Sequence, residues 1–191
     1  MKRRNAVRNI GLIAGGAVLG LGGWNVFLLY RRPDLRLLED HKEVLDDLAD
    51  TLIPATNSLG AKEAAVGAFV LKMIRDCTER KTQNNFIHGF RALLDRSQSQ
   101  YGKPFGKCSS QERENLLAYF EKHGQPYRGV AGKLDHQLRG DSFFTTLKKY
   151  TVLGYCTSKP GATQAMRYDY IPGKYVASIP LRPGERSWAT R

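Results

Sequence analysis

The uncharged stretch over residues 11–30 limits the architecture of this chain more than any other feature. It follows a basic start over residues 1–8 and is closed by Arg31 and Arg32. A helix of 20 residues rises about 30 Å, the thickness of the hydrocarbon core of a bilayer. Six glycines in the stretch would weaken a buried helix in water. We therefore expect an N-terminal signal or membrane anchor, not a core helix.

The basic start is similar to a twin-arginine export signal. Arg3 and Arg4 are adjacent, and two apolar residues and a further arginine follow them. Ala6 stands where such signals usually carry a bulkier apolar residue. We find no clean cleavage site before a polar stretch, and the apolar residues continue through Trp24 and Tyr30, types favoured at membrane interfaces. We expect an uncleaved anchor, with a cleaved signal as the alternative.

The charge of the chain is concentrated at its start. The formal net charge is +12 from 30 Lys and Arg and 18 Asp and Glu. Residues 1–32 hold six basic residues and no acid, so the remainder carries only +6. Basic and acidic residues are interspersed there, which does not match a nucleic-acid footprint. The composition, with 41% hydrophobic and 25% charged residues, is typical of one globular domain.

Hydrophobic periodicity predicts a mainly α fold, a bundle of about five helices. The first helix covers residues 34–53, and Pro54 ends it. Acids flank its apolar stripe, and we expect them to form a solvated face, although carboxylates at helical spacing can also converge on a metal or an acid/base site. The acids are Asp40, Glu43, Asp46, Asp47 and Asp50.

Four further helices follow from the same patterns. We expect one over residues 61–80, with Cys77 buried on its apolar face, and one over residues 84–97. Ser109 and Glu112 have the spacing of a capping box and predict the start of a fourth helix. Asp141 is the predicted cap of the fifth.

After Gly154 the sequence changes character, because recurring prolines and glycines prevent a long helix. We expect an irregular C-terminal arm, with a short hairpin over residues 168–180. The predicted organisation is therefore a signal or anchor over residues 1–32, a helical bundle over 33–155 and an arm over 156–191 that belongs to the same domain.

Motifs for chemistry are missing from the sequence. The four histidines lack metal-ligand spacing, and there is no GxSxG, P-loop or HExxH motif. Three cysteines, Cys77, Cys108 and Cys156, form no CxxC pair, and whether any two of them form a disulfide stays open. These observations favour a binding or accessory module over an enzyme.

Two segments carry a resemblance to a known family. The first covers residues 48–56 and continues through 60–64; the second covers residues 153–168 and continues through 171–175. Together they closely resemble the gluconate 2-dehydrogenase subunit 3 family, the small subunits of membrane-associated, FAD-dependent sugar and polyol dehydrogenases. Cys156 departs from the pattern, because relatives commonly have Phe at this position.

The resemblance implies an accessory subunit of an oxidoreductase complex, with no cofactor of its own. The FAD is expected on a large partner subunit of the glucose-methanol-choline type. Because that subunit typically lacks an export signal, the small subunit would carry it, folded, through the twin-arginine route to the periplasm. A c-type cytochrome accepts the electrons in some complexes. This chain has no CxxCH motif for covalent haem.

The arm is the predicted partner interface, because tyrosine and arginine are favoured interface anchors. The alternative is an arm that wraps its own bundle. Two other functions compete with the accessory subunit: an independent periplasmic enzyme acting on oxidised sugars, and a basic protein that holds anionic lipid or nucleic acid. The candidate interface residues are Tyr155, Thr157, Gln164, Arg167, Tyr168 and Tyr175.

Overall fold

A computed structural model of the chain describes residues 30–125, 140–171, 173, 178, 180 and 183–189. Within these ranges the chain forms six α-helices, one 3₁₀-helix and one π-helical turn, with no strand. The prediction of a mainly α fold is therefore confirmed. The predicted signal or anchor helix lies outside the described residues, apart from Tyr30 at its end.

No helix in the described ranges has the length and apolar character needed to cross a membrane.

The single helix predicted over residues 34–53 is two helices, α1 (Arg36–Asp40) and α2 (Lys42–Leu52). His41 separates them, with φ −120° and ψ 40°. Its Nδ1 lies 2.9 Å from the carbonyl oxygen of Leu37. In a continuous helix the backbone amide of His41 would donate to this oxygen, so the ring competes with the helix for the acceptor. The apolar stripe continues across the break, and the predicted end before Pro54 is correct.

Helix α3 (Val66–Cys77) begins five residues later than predicted, because residues 61–65 form a turn. Ala65 adopts a left-handed conformation with φ 54°, which interrupts the helix although alanine favours one. The prediction that Cys77 is buried is wrong. It lies exposed at the last position of the helix, one turn beyond Ile74, where the helix has already passed the core.

Helix α4 (Arg80–Tyr101) is longer than predicted at both ends and stops where Gly102 turns left-handed with φ 69°. A short 3₁₀-helix (Phe105–Lys107) leads to α5 (Ser110–His123). The predicted capping box is confirmed: Glu112 Oε2 accepts from the Ser109 amide at 2.7 Å, and Ser109 Oγ accepts from the Glu112 amide at 3.4 Å.

Helix α6 (Phe143–Thr157) is capped by Ser142, not by Asp141 as predicted. The Ser142 hydroxyl accepts from the Thr145 amide at 3.3 Å. A π-helical turn (Gly161–Ala165) then begins the arm. The predicted hairpin over residues 168–180 lies partly outside the described residues.

Helix α6 is the centre of the bundle, because it packs against α2, α3, α4 and α5. Its aromatic residue Phe143 contacts Phe86 of α4 and Phe120 of α5, with ring centres 5.0 and 5.4 Å apart. The π-helical turn also packs against α6. The start of the arm is therefore fixed to the most contacted helix of the fold.

Candidate partner-binding surface

Tyr155, in the second segment that carries the family resemblance, contacts the loop between the two parts of the first segment. Its hydroxyl donates to the carbonyl oxygen of Leu59 at 2.7 Å and lies 3.3 Å from Ser58 Oγ. Tyr155 is 8% exposed and part of the hydrophobic core. This side chain is thus used inside the chain, where it holds the 54–60 loop against α6, and we leave it out of the proposed interface.

A cluster of Asp47, Lys62 and Arg113 fixes the turn that follows this loop. Asp47 Oδ1 lies 2.7 Å from Lys62 Nζ, and Asp47 Oδ2 lies 3.5 Å from Arg113 Nη2. Arg113 also donates to the carbonyl oxygen of Gly106 at 2.6 Å. The three charges join α2, the turn before α3 and α5, at a point where the Asp47 side chain is only 12% exposed.

The prediction of a solvated acidic face on α2 is therefore wrong for Asp47, and it holds only in part for its neighbours. Asp46 and Asp50 are half-buried. Burial raises the pKa of Asp46, and Lys62 partly opposes that shift. Burial and then the Glu63 charge raise the pKa of Asp50. Among the described residues no group of histidine, cysteine and acidic side chains is arranged to hold a metal ion. Asp47 has a structural role, because it holds α2 to Lys62 and Arg113.

The three cysteines are free thiols in the structure. Cys108 is buried, and its Sγ lies 3.5 Å from Ser97 Oγ. Cys77 and Cys156 are exposed on different helices. The disulfide that the sequence left open is therefore not formed within the chain.

The root of the arm is a tight turn around Gly161. Ser158 Oγ donates to the Tyr155 carbonyl oxygen at 2.7 Å and accepts from the Gly161 amide at 3.1 Å. A Cβ atom on Gly161 would collide with the carbonyl oxygen of Tyr155, so only glycine allows the π-helical turn to lie this close to α6. Thr157, at the end of α6, and Gln164, within the π-helical turn, are exposed.

The large exposed hydrophobic side chains are unevenly distributed along the described chain. In the described ranges none of the large ones lies on helices α1 to α5. Apart from Tyr30, they lie in the arm, on α6, or on the loop that Tyr155 holds against α6. They are Leu59, Val152, Leu153, Tyr168, Tyr170, Ile171 and Trp188, and we call this set the arm surface.

The arm surface contains one of the predicted interface residues and several that sequence reasoning missed. Tyr168 is 45% exposed, and Arg167 is exposed beside it. Tyr175 lies outside the described residues. Tyr170 and Ile171 are the most exposed members, at 81% and 73%. The sequence feature that could have predicted their exposure is the surrounding proline- and glycine-rich segment, where an apolar side chain has no helix face to pack into.

A cavity of about 740 Å³ lies between α4, α5 and the start of α6. Along it, Arg96 stacks 3.5 Å from the ring centre of Tyr119, and Tyr119 stacks 4.0 Å from His123. His123 Nδ1 lies 2.7 Å from the carbonyl oxygen of Tyr119. These groups are engaged with one another and with their own helix.

The described residues form a helical fold with exposed apolar side chains in the arm and on α6. The family model for gluconate 2-dehydrogenase subunit 3 matches residues 39–173. The chain belongs to this family, whose name describes a subunit of a multi-subunit dehydrogenase. The matched range includes all six helices except the start of α1, and it reaches the exposed residues of the arm. Neither the curated proteins nor the solved structures gave a match.

Proposed function

We propose that this chain is the non-catalytic small subunit of an exported, FAD-dependent sugar or polyol dehydrogenase complex. Family membership makes it a dehydrogenase subunit. The proposal adds that the FAD and the chemistry belong to a large partner subunit of the glucose-methanol-choline type. Electrons would leave that partner for a separate acceptor, such as a c-type cytochrome.

The arm surface is the observation that carries the proposal. Tyr168, Tyr170 and Ile171 are exposed within four consecutive residues of the arm, and exposed apolar side chains that lie close together are typical of a binding site for another protein. Tyrosine and tryptophan are enriched at the centres of such interfaces. Tyr168, Tyr170 and Trp188 provide these residue types in the arm, next to the exposed Ile171.

Export is the second part of the proposed role. The paired arginines Arg3 and Arg4 before a glycine-rich apolar stretch suit the twin-arginine route, which moves folded proteins. A flavoprotein that folds around FAD in the cytoplasm could cross only as a passenger of a chain with such a signal. The uncharged stretch over residues 11–30 would then keep the complex at the inner membrane, on its periplasmic side.

Co-purification tests the association. Where a flavoprotein dehydrogenase is encoded beside this chain, we expect this chain to elute with it when an affinity tag is placed on the flavoprotein, which leaves both termini of this chain free. Two controls are needed: the tagged flavoprotein expressed alone, and this chain expressed with the tag on an unrelated protein. The proposal would be contradicted if this chain did not elute with the tagged flavoprotein, or if it eluted equally with the tagged unrelated protein.

A further inference from the structure

The chain enters the helical bundle almost directly after the uncharged stretch of residues 11–30. Asn84 Nδ2, in the second turn of α4, donates to the carbonyl oxygen of Arg31 at 2.8 Å. Leu35, four residues beyond Arg31, already packs against the hydrophobic core. Four residues span at most about 14 Å even when they are fully extended. The end of the uncharged stretch is therefore held close to the part of the bundle where α4 begins.

The turn between α3 and α4 lies at the same end of the bundle. Gln83 Nε2, one residue before Asn84, donates to the carbonyl oxygens of Ile74 and Arg75, at 2.7 and 3.1 Å. These bonds hold the start of α4 against the last turn of α3. The surface beside Arg31 thus consists of the entry segment and the α3–α4 turn.

This end of the bundle is basic. Residues 30–36 and 75–84 together hold six basic and three acidic side chains, a net charge of +3. Two of the acids, Asp76 and Glu79, form ion pairs with near neighbours in the chain, at 2.8 and 3.0 Å. The remaining arginines here are exposed and form no ion pair with another described residue, and we call them the basic end: Arg31, Arg32, Arg36 and Arg80.

The sequence indicates what the basic end would face. The uncharged stretch has the length needed to cross a bilayer and ends at Tyr30, whose side chain is 50% exposed. Four basic residues within 1–8 favour a cytoplasmic start, so Arg31 would emerge on the periplasmic side at the level of the lipid headgroups. Tyrosine is enriched at that level, and guanidinium groups bind phosphate through charge-assisted hydrogen bonds. Since only four residues separate Arg31 from the core, the basic end would lie against the bilayer.

We propose that the basic end is the membrane-facing surface of the bundle and that its arginines bind the phosphate groups of anionic phospholipids. Arg80 is the member that the fold brings to this surface from a distant part of the sequence, because it lies one turn before Asn84 on the same face of α4. The inference rests on the proposed function, since it requires the uncharged stretch to remain in the membrane.

This orientation leaves the root of the arm away from the bilayer. Thr78 Oγ1, just past the end of α3, lies 2.8 Å from the Tyr150 hydroxyl. Phe69, in the first turn of α3, occupies the space that a Cβ atom on Gly154 would need. Helices α3 and α6 are therefore antiparallel, and the end of α6 lies about 12 Å along α3 from the α3–α4 turn. The arm, which begins there, would stay accessible to the flavoprotein.

Two native cysteines can report the orientation. Cys77 is exposed at the end of α3, next to the α3–α4 turn, and Cys156 is exposed near the end of α6. Full-length C156S and C77S chains are labelled with a thiol-reactive fluorophore and reconstituted into vesicles of phosphatidylcholine and phosphatidylglycerol with nitroxide-labelled headgroups. We expect strong quenching of the label on Cys77 and weak quenching of the label on Cys156. The C77S/C156S chain should not react, because Cys108 is buried.

R80Q, made in the C156S chain, tests the role of the arginines. A basic residue near an anionic surface strengthens binding several-fold, so we expect the ratio of docked to undocked bundles to fall about 5-fold. The ratio should not change in vesicles of phosphatidylcholine alone. R91Q is the matched control, because Arg91 is exposed on the same face of α4, three turns and about 16 Å further along. It should leave the quenching unchanged.

Equal quenching of the labels on Cys77 and Cys156, or equal effects of R80Q and R91Q, would overturn the inference. Failure of the anchoring in the proposed function gives a different result: alkaline carbonate then extracts the full-length chain from the vesicles, before any quenching is compared. A chain that resists extraction but shows equal quenching at both cysteines rejects only the orientation.

Discussion

Replacing Asp47 with asparagine is expected to lower the free energy of unfolding by about 3 kcal/mol, the lower end of the cost of breaking a buried ion pair. Asparagine keeps the shape of the side chain but leaves Arg113, only 17% exposed, without its anionic neighbour. Lys62 is half-exposed, so water can solvate its ammonium group when the ion pair with Asp47 is lost. The cost therefore stays at the lower end of the range. Urea unfolding followed by circular dichroism at pH 7 measures the change.

Asp50→Asn is the matched control, one turn further along α2. Because the pKa of Asp50 is raised in the folded chain, ionisation of this carboxyl opposes folding. The variant should therefore be more stable than wild type at pH 7. That gain should disappear as the pH falls below the ordinary value of 3.8, where the carboxyl is protonated in both states. Destabilisation at pH 7 by both substitutions would contradict the account of α2.

The second large effect concerns export. In the Arg3→Lys/Arg4→Lys variant we expect this chain and its flavoprotein partner to stay in the cytoplasm, because the twin-arginine route requires the guanidinium pair and lysine keeps only the charge. Cell fractionation followed by dehydrogenase assay of the periplasm and membranes measures the effect. The loss of exported activity should be nearly complete.

A second pair of arginines provides the control for charge and composition. Arg31 and Arg32 close the uncharged stretch at its other end, and their replacement with lysine makes the same chemical change. We expect normal export of the Arg31→Lys/Arg32→Lys variant. Normal export of the Arg3→Lys/Arg4→Lys variant would reject the twin-arginine route, whatever the control shows.

Local signals in the sequence predicted the parts of the fold that depend on neighbouring residues. The Ser109–Glu112 capping box is such a signal, because both partners lie within one turn of helix. Pro54 likewise marks the end of α2. The break at His41 was missed because it depends on one side chain competing for a backbone acceptor within a stripe that remains apolar on both sides.

Long-range pairing explains the error at Asp47. Asp47 looked like a member of a solvated acidic face, since its partners Lys62 and Arg113 lie 15 and 66 residues away along the chain. The ion pair of Arg167 with Glu185, 18 residues further on, could not be predicted for the same reason, and the role of Arg167 in the interface stays a prediction. Periodicity describes one element at a time, so it contains no information on such partners.

The separated subunits provide the most direct test of the central claim that this chain has no catalytic role of its own. After dissociation of the purified complex, the visible absorbance and dye-linked sugar oxidation of each chain are measured. We predict that flavin absorbance and turnover stay with the large subunit and that this chain is colourless and inactive. Bound flavin or sugar oxidation by this chain alone would contradict the account.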